Sequence, residues 1–183
     1  MSKPSFSVIG RDRFAESADA LYDMLYTNMH EIAPTGNSRE ADRILWQDAI
    51  AKALENPNRQ IVLIRQNEML VGFFMFCLTE TTLKMEEIQF LPSVQGTGLF
   101  RALYVYLFSL LPKEPETVEA FAHKTNGKSQ GILRHFGLSV VGENKSGSAF
   151  CFRGDYRTFR AAFAHTGSFS DSTTKNSSLS EWT

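Results

Sequence analysis

The spacing of apolar residues changes several times along the chain, and each change predicts an element. Residues 5–9 (Ser-Phe-Ser-Val-Ile) read as a short strand. Between 15 and 30, Ala18, Leu21, Tyr22, Leu25 and Tyr26 fall on one face of a helix. The run Ile32-Ala33-Pro34-Thr35-Gly36-Asn37 breaks that helix, and Ser38 stands where it can cap a second one. There Ala41, Leu45, Ala49 and Ala53 recur every four residues with Ile50 and Leu54 beside them, which makes that row the predicted buried face. Asn56-Pro57-Asn58 ends it.

The period then shortens to that of strands. Residues 60–64 and 70–79 flank the tight Gln66-Asn67-Glu68 turn and predict an antiparallel hairpin. A third strand, 83–90, stops before Pro92. Leu99, Ala102, Leu103, Tyr106, Leu107 and Leu110 then recur at helical spacing. A strand at 118–123 and a short helix at 128–136 follow, with Gly137 placed to end the helix. Residues 138–142 and 148–153 form a closing hairpin. Strands in runs with helices inserted late predict an α/β domain whose mixed sheet is covered on both faces.

Composition narrows the picture. The 183 residues suffice for one domain, read as 1–165, and the Ser/Thr-rich remainder, 166–183, reads as a solvated tail. A net charge of −1 supplies no basic field, which weighs against nucleic acid as the main partner. Cys77 and Cys151 lie singly inside apolar runs, without metal-site spacing, and a disulfide between them is unforced. The first residues lack the apolar core of a signal peptide, and the apolar stretch at 99–111 is shorter than a membrane span and carries Arg101. The expectation is a cytoplasmic protein that touches no membrane and binds no metal.

Chemistry concentrates where the third strand of the run meets the long amphipathic helix, at Phe90-Leu91-Pro92-Ser93-Val94-Gln95-Gly96-Thr97-Gly98-Leu99-Phe100-Arg101. A turn that opens a helix presents unpaired N–H groups at the positive end of the helix dipole. Glycines let a ligand approach that backbone, which suits an anion such as a pyrophosphate. On Gly-x-Gly alone an ordinary turn is the reading to prefer. The longer pattern, strand then x-Pro-x-x-Gln-Gly-x-Gly-Leu-x-x-x-Leu, resembles the coenzyme A pyrophosphate loop of the GNAT superfamily, Gln/Arg-x-x-Gly-x-Gly/Ala. Gln95 takes the first position and Gly98 the central one, while Phe100 stands where the family usually has Gly or Ala. Further on, Asn126-x-x-Ser129 and Ile132-Leu133-Arg134-His135-Phe136-Gly137-Leu138 resemble the family's second signature. The resemblance is specific over 83–138 and rests on element order elsewhere.

That resemblance implies a mostly antiparallel central sheet, acetyl-coenzyme A as co-substrate, and transfer of its acetyl group to an amine by direct attack in a ternary complex. By carry-over, Phe90 and Leu91 would pair with pantetheine. Gln95, Gly96, Thr97, Gly98, Leu99, Phe100 and Arg101 would hold the pyrophosphate, with Asn126 and Ser129 near the pantetheine arm. A glutamate near the end of the strand is a common family base. Glu86 and Glu87 are adjacent, so they are expected on opposite faces, and Glu86, in phase with Ile88 and Phe90, is the preferred candidate. Plain edge charges are the alternative. Leu133 occupies the place where many members carry a Tyr acid, so Ser129, one turn earlier, is the candidate substitute. That departure keeps a second reading open, a domain that binds acyl-coenzyme A without turnover. Tyr26, His30 and Glu31 adjoin the loop that would border the acceptor pocket. The acceptor could be a small amine, an amino acid, a peptide N-terminus or a protein lysine, and a homodimer stays open.

Residues 122–129, Ala-His-Lys-Thr-Asn-Gly-Lys-Ser, nearly match a nucleotide-binding P-loop. Such a site needs further parallel strands and a strand-end Asp for magnesium, whereas Asp155 is expected in a loop beyond the last strand. Lys128 is read as a cation near the coenzyme phosphates or in solvent, and His123, in phase with Phe121 and Glu119, as structural.

Overall fold

The computed structural model describes residues 3–95 and 97–163; Gly96 and the Ser/Thr-rich segment lie outside the described residues. Seven strands form one sheet. In chain order the elements are β1 (Ser5–Ile9), α1 (Arg11–Phe14), α2 (Ala18–Met29), α3 (Arg39–Ala53), β2 (Arg59–Gln66), β3 (Met69–Leu78), β4 (Thr82–Phe90), α4 (Leu99–Leu110), β5 (Thr117–His123), α5 (Gly127–His135), β6 (Ser139–Glu143), β7 (Ala149–Asp155) and α6 (Tyr156–Ala161). The strands lie in the order β1-β2-β3-β4-β5-β7-β6, with β4 and β5 parallel and every other pair antiparallel.

Alternate residues of the central strands enter two cores. Val62, Ile64, Phe74 and Phe76 pack under Leu99, Leu103 and Leu107 of α4 and Phe159 of α6. Ile61, Leu63, Phe73 and Met75 pack under Leu21 and Met24 of α2 and Ile50 and Leu54 of α3. A sheet covered on both faces needs apolar residues at both phases, which is why β2 and β3 are almost unbroken hydrophobic runs.

Local chemistry sets the boundaries. Asn67 and Glu68 both take left-handed dihedrals (φ 50° and 64°), so the β2–β3 turn is the two-residue type whose twist suits a hairpin. Ser38 caps α3, its hydroxyl accepting from the Ala41 N–H at 3.2 Å. Gly137 (φ 83°) closes α5: its N–H bonds to the Arg134 carbonyl, and that of Leu138 to Leu133, both at 3.0 Å.

Three expectations change. The predicted 15–30 helix is α2 preceded by the separate turn α1. In α3 the every-fourth row is not the buried face: Ala41, Leu45 and Ala49 are exposed, Leu45 at 60%. Alanines have little area to bury, and the helix instead turns Trp46, Ile50 and Leu54 inward. The Trp46 ring meets Phe14, Tyr22 and Phe73 with centroids 5.9–6.4 Å away. Arg43 and Gln47 complete that side through Asp19, at 2.6 and 2.8 Å. Asp155 is not a loop residue; it ends β7 and caps the unforeseen α6, accepting from the Thr158 N–H at 2.8 Å.

Two irregularities in β4 shape everything that follows. Met75 stands opposite Glu87 but Phe76 stands opposite Met85, so Glu86 is the extra residue of a β-bulge. Pairing with β5 lasts only from Thr82–Met85 against Thr117–Ala120. Beyond it the two strands part. The outer end of β4 is held against Gly72, where a Cβ would lie 2.7 Å from the Phe90 ring and 2.8 Å from the Gln89 carbonyl. Gly72→Ala should therefore displace the end of β4 and cost about 1–3 kcal/mol. Chemical denaturation checks it, with Gly127→Ala as the control, because nothing lies within 4 Å of a Cβ there.

Candidate active site

The gap between β4 and β5 opens into a cavity of about 470 Å³. Glu86 to Phe90 form one wall and Ala120 to His123 the other. Val94, Gln95, Thr97, Leu99, Phe100 and Tyr104 close it from the loop and α4, with Asn126, Lys128, Ser129, Ile132 and Leu133 from α5 and Asn28, Met29 and Ile32 from the α2 end. The two sequence signatures thus line one space.

At the loop, Gly98 is the N-cap of α4 in a left-handed conformation (φ 81°), with no side-chain cap over the first turn. The Thr97 hydroxyl donates to the Val94 carbonyl at 2.6 Å and fixes the turn. Lys128 reaches across from α5 and donates to the Gln95 side-chain oxygen at 3.2 Å, which brings a cation to the same end of the helix. Arg101 sits in the first turn of α4 but does not line the cavity. Phe100 does line it. Its ring stacks on Phe136 at 5.6 Å and touches Tyr104 at 4.8 Å, tying the first turn of α4 to the end of α5. Asn126 caps α5 by accepting from the Ser129 N–H at 3.0 Å, so its amide N–H₂ is what remains for the cavity.

Phe90 and Leu91 separate in role. The Leu91 N–H is bonded to the Val71 carbonyl at 2.9 Å, on the β3 side. Strand alternation then turns the backbone of Phe90, and of Ile88 before it, toward the gap. Asn28 donates to the Phe90 carbonyl at 2.9 Å.

The two glutamates do not lie on opposite faces. The bulge resets the alternation, so both point to the α2/α3 side: Glu87 stands in register with Met75 of that core, and Glu86 meets Arg59, in phase with Ile61. Glu86 is held by Arg59 through two hydrogen bonds of 2.6 and 2.8 Å, and Arg59 also donates to the Ala53 carbonyl at 2.7 Å. Glu87 accepts from Gln89 at 2.7 Å, and the Gln89 oxygen accepts from Asn28 at 2.8 Å. Burial lifts the Glu87 carboxyl up to about 7, against the Gln89 and Ile88 hydrogen bonds that favour its anion. A carboxyl poised there can take and return a proton at neutral pH. Tyr104 is a second buried group on the cavity wall; its hydroxyl donates to the Met85 sulfur at 3.2 Å, and burial raises the phenol well above its ordinary value.

Tyr26, His30 and Glu31 stay off the cavity. Tyr26 stacks on His30 at 4.8 Å with the Arg39 guanidinium 4.8 Å over its ring, and Glu31 is exposed. Asn28, Met29 and Ile32 face the gap in their place, a rotation of about 100° per residue that separates neighbours on a helix. Lys128, Ser129 and Asn126 belong to this cleft rather than to a nucleotide site, since β5 is parallel to β4 alone and Asp155 is spent on α6. His123 lines the cavity, with its Nδ1 2.7 Å from the Thr125 hydroxyl.

Among the described residues no three His, Cys, Asp or Glu side chains gather as metal ligands, and no helix is long and apolar enough to cross a membrane. Cys77 and Cys151 are free and buried.

No family model and no curated protein sequence matches the chain. Its architecture does match solved structures. A candidate GNAT-family acetyltransferase from Desulfovibrio desulfuricans aligns over 84% of this chain and 99% of its own, with 14% identity and a TM-score of 0.64. PaiA N-acetyltransferase from Thermoplasma acidophilum, in complex with coenzyme A, aligns over the same shares with 11% identity and a TM-score of 0.64. PseH, the Campylobacter jejuni N-acetyltransferase in complex with acetyl-coenzyme A, covers 82% and 99% with 11% identity and a TM-score of 0.54. The bulged strand, the parted parallel pair and the helix that starts at Gly98 are thus set in the fold of the GNAT acetyltransferases.

Proposed function

We propose that the chain is an N-acetyltransferase that moves the acetyl group of acetyl-coenzyme A to a primary amine by direct attack in a ternary complex. The observation that carries this reading is the cleft itself: a single opening joins a helix start suited to phosphate with a carboxyl that desolvation holds near neutrality. Two structures of the same fold bind coenzyme A or acetyl-coenzyme A, which supports the choice of co-substrate.

In this reading the pyrophosphate lies against the first turn of α4, beside Lys128 and Gln95. The pantetheine amides pair with the backbone of Ile88 and Phe90, and the thioester reaches the bulge. The amine enters from the α2 side. Its nitrogen attacks the thioester carbonyl, Glu87 accepts a proton from it, and the carbon–sulfur bond breaks. Glu87 takes the role of base in preference to Glu86, whose carboxylate is already spent on Arg59. Ser129 is the hydroxyl available to the departing sulfur, since that of Tyr104 is turned to Met85.

Acetyl-coenzyme A should raise the melting temperature, and ATP with magnesium should not. Ligand at about a hundred times its Kd contributes roughly 2.7 kcal/mol, an easily measured shift. Release of free thiol on addition of an amine completes the test. No stabilisation by any acyl-coenzyme A would end this reading. Leu133, at the position where many members of the GNAT superfamily carry a Tyr, favours the second one: tight acyl-coenzyme A binding with no thiol release from any amine would select a binding domain.

A further inference from the structure

The contact between His123 and Thr125 fixes more than a loop. The Thr125 hydroxyl lies 2.8 Å from the carbonyl of Ile32 and 2.7 Å from Nδ1 of His123. A hydroxyl has one proton, and a carbonyl can only accept, so Thr125 donates to Ile32. The short contact on its other side then requires Nδ1 to donate. The Thr125 N–H also approaches the same nitrogen, but at 3.4 Å it is the longer and weaker of the two contacts, so the 2.7 Å contact sets the tautomer. A neutral imidazole carries a single N–H, so Nε2 is left with its lone pair free. Among the described residues no hydrogen-bonding group meets it, and His123 lines the cleft. The other ionisable side chains lining the cleft are Glu86, Glu87, Tyr104 and Lys128.

Proton counting gives this nitrogen a task. At neutral pH an alkyl amine arrives as its ammonium ion. Ammonium and thioester become amide, thiol and one free proton: the nitrogen–carbon bond forms and the carbon–sulfur bond breaks. The nitrogen sheds two protons, one before attack and one after. The second can leave with sulfur as the thiol, but the first must reach water. The Glu87 carboxyl is engaged by Gln89 on the α2/α3 side, whereas Nε2 of His123 is unengaged on a partly exposed side chain at the end of β5.

Building on the acetyltransferase reading, we infer that His123 Nε2 takes the first proton from the incoming ammonium and hands it to water, with Thr125 as the positioning residue that holds the required tautomer. The loop after β5 thereby prepares the acceptor, and Glu87 serves the later proton. Acceptors that arrive as ammonium ions then depend on His123, and amines that are neutral in solution do not.

The test compares two acceptors of one shape, n-propylamine, cationic at neutral pH, and O-ethylhydroxylamine, neutral there. His123→Asn keeps a donor near the Nδ1 position and deletes Nε2. It should lower kcat/KM for the alkyl amine about a hundredfold at neutral pH and change that for the alkoxyamine by less than about threefold. Thr125→Val should show the same selectivity with a smaller loss. Equal losses on both acceptors, or none on either, overturn the inference. Nitrogen-15 NMR of the imidazole provides a readout without turnover: Nδ1–H in the wild type is expected, and Nε2–H would also overturn it. Absence of thiol release from both amines in the wild type, with no stabilisation by acetyl-coenzyme A, fails the acetyltransferase reading instead, and the NMR result still decides the tautomer.

Discussion

Glu87→Gln is expected to lower turnover by about 10²–10⁴-fold, the usual loss for a general base, while acetyl-coenzyme A still binds. The same change should make the folded protein more stable. The carboxyl titrates near 7 in the folded chain against 4.5 as its ordinary value. Between those values the unfolded chain has already shed a proton that the folded chain keeps, so stability falls as pH rises through that window. Above it the whole cost remains, on the order of 3 kcal/mol for a shift of this size. Glutamine keeps a hydrogen-bonding group beside Gln89 and has no charge to bury. The variant should therefore be the more stable protein at pH 8, and the difference should close as pH falls toward 4.5. Urea denaturation at both pH values, paired with a thiol-release assay, measures the two effects together. A variant that lost activity and was also less stable at pH 8 would show the carboxylate to be structural.

Gly98→Val should weaken acetyl-coenzyme A binding by about ten- to hundredfold, through the backbone rather than through a clash. Nothing lies within 4 Å of a Cβ at that position, but its φ is 81°. A β-branched residue held there costs about 1–3 kcal/mol, and each 1.4 kcal/mol is a factor of ten. The loop relieves the cost by leaving the left-handed region, which turns the first amides of α4 away from the phosphate. Lys128→Ala should cost far less, since it removes one charged contact at an exposed position. Titration calorimetry on both variants checks the order. A larger loss for Lys128→Ala would move the phosphate site from the start of α4 to that of α5.

The order of elements was legible because burial on two faces writes a period into the chain. Leu99, Leu103 and Leu107 repeat as a helix and are buried as one. The parts that escaped are those where period and burial diverge. Ala41, Leu45 and Ala49 keep the helical spacing, but the two alanines bring little area to drive packing, so Trp46, Ile50 and Leu54 set the buried face of α3. The bulge leaves no mark in the sequence, and one extra residue reverses the parity argument that favoured Glu86. On α2 proximity along the chain pointed to Tyr26, His30 and Glu31, whereas the helical twist brings Asn28 and Met29 to the gap. Helix α6 did carry a signal: Asp155 as cap, then Tyr156, Phe159 and Phe163 at helical spacing, all buried.

A sheet normally has two free borders, and both are hazards, because unpaired strand backbone invites a foreign strand and aggregation. The parting of β4 from β5 creates a further border in the middle of this one, along Ile88 and Phe90. Its position limits the hazard. The gap is closed at one end by the pairing of Thr82–Met85 with β5, and Asn28 already holds the Phe90 carbonyl at the other. A second copy of the chain would have to bring in a strand with side chains on both faces, and α2 and α5 flank the opening on either side. An unbranched arm of amide and methylene groups meets no such obstacle. The molecule keeps strand backbone available inside a slot that helices flank on either side.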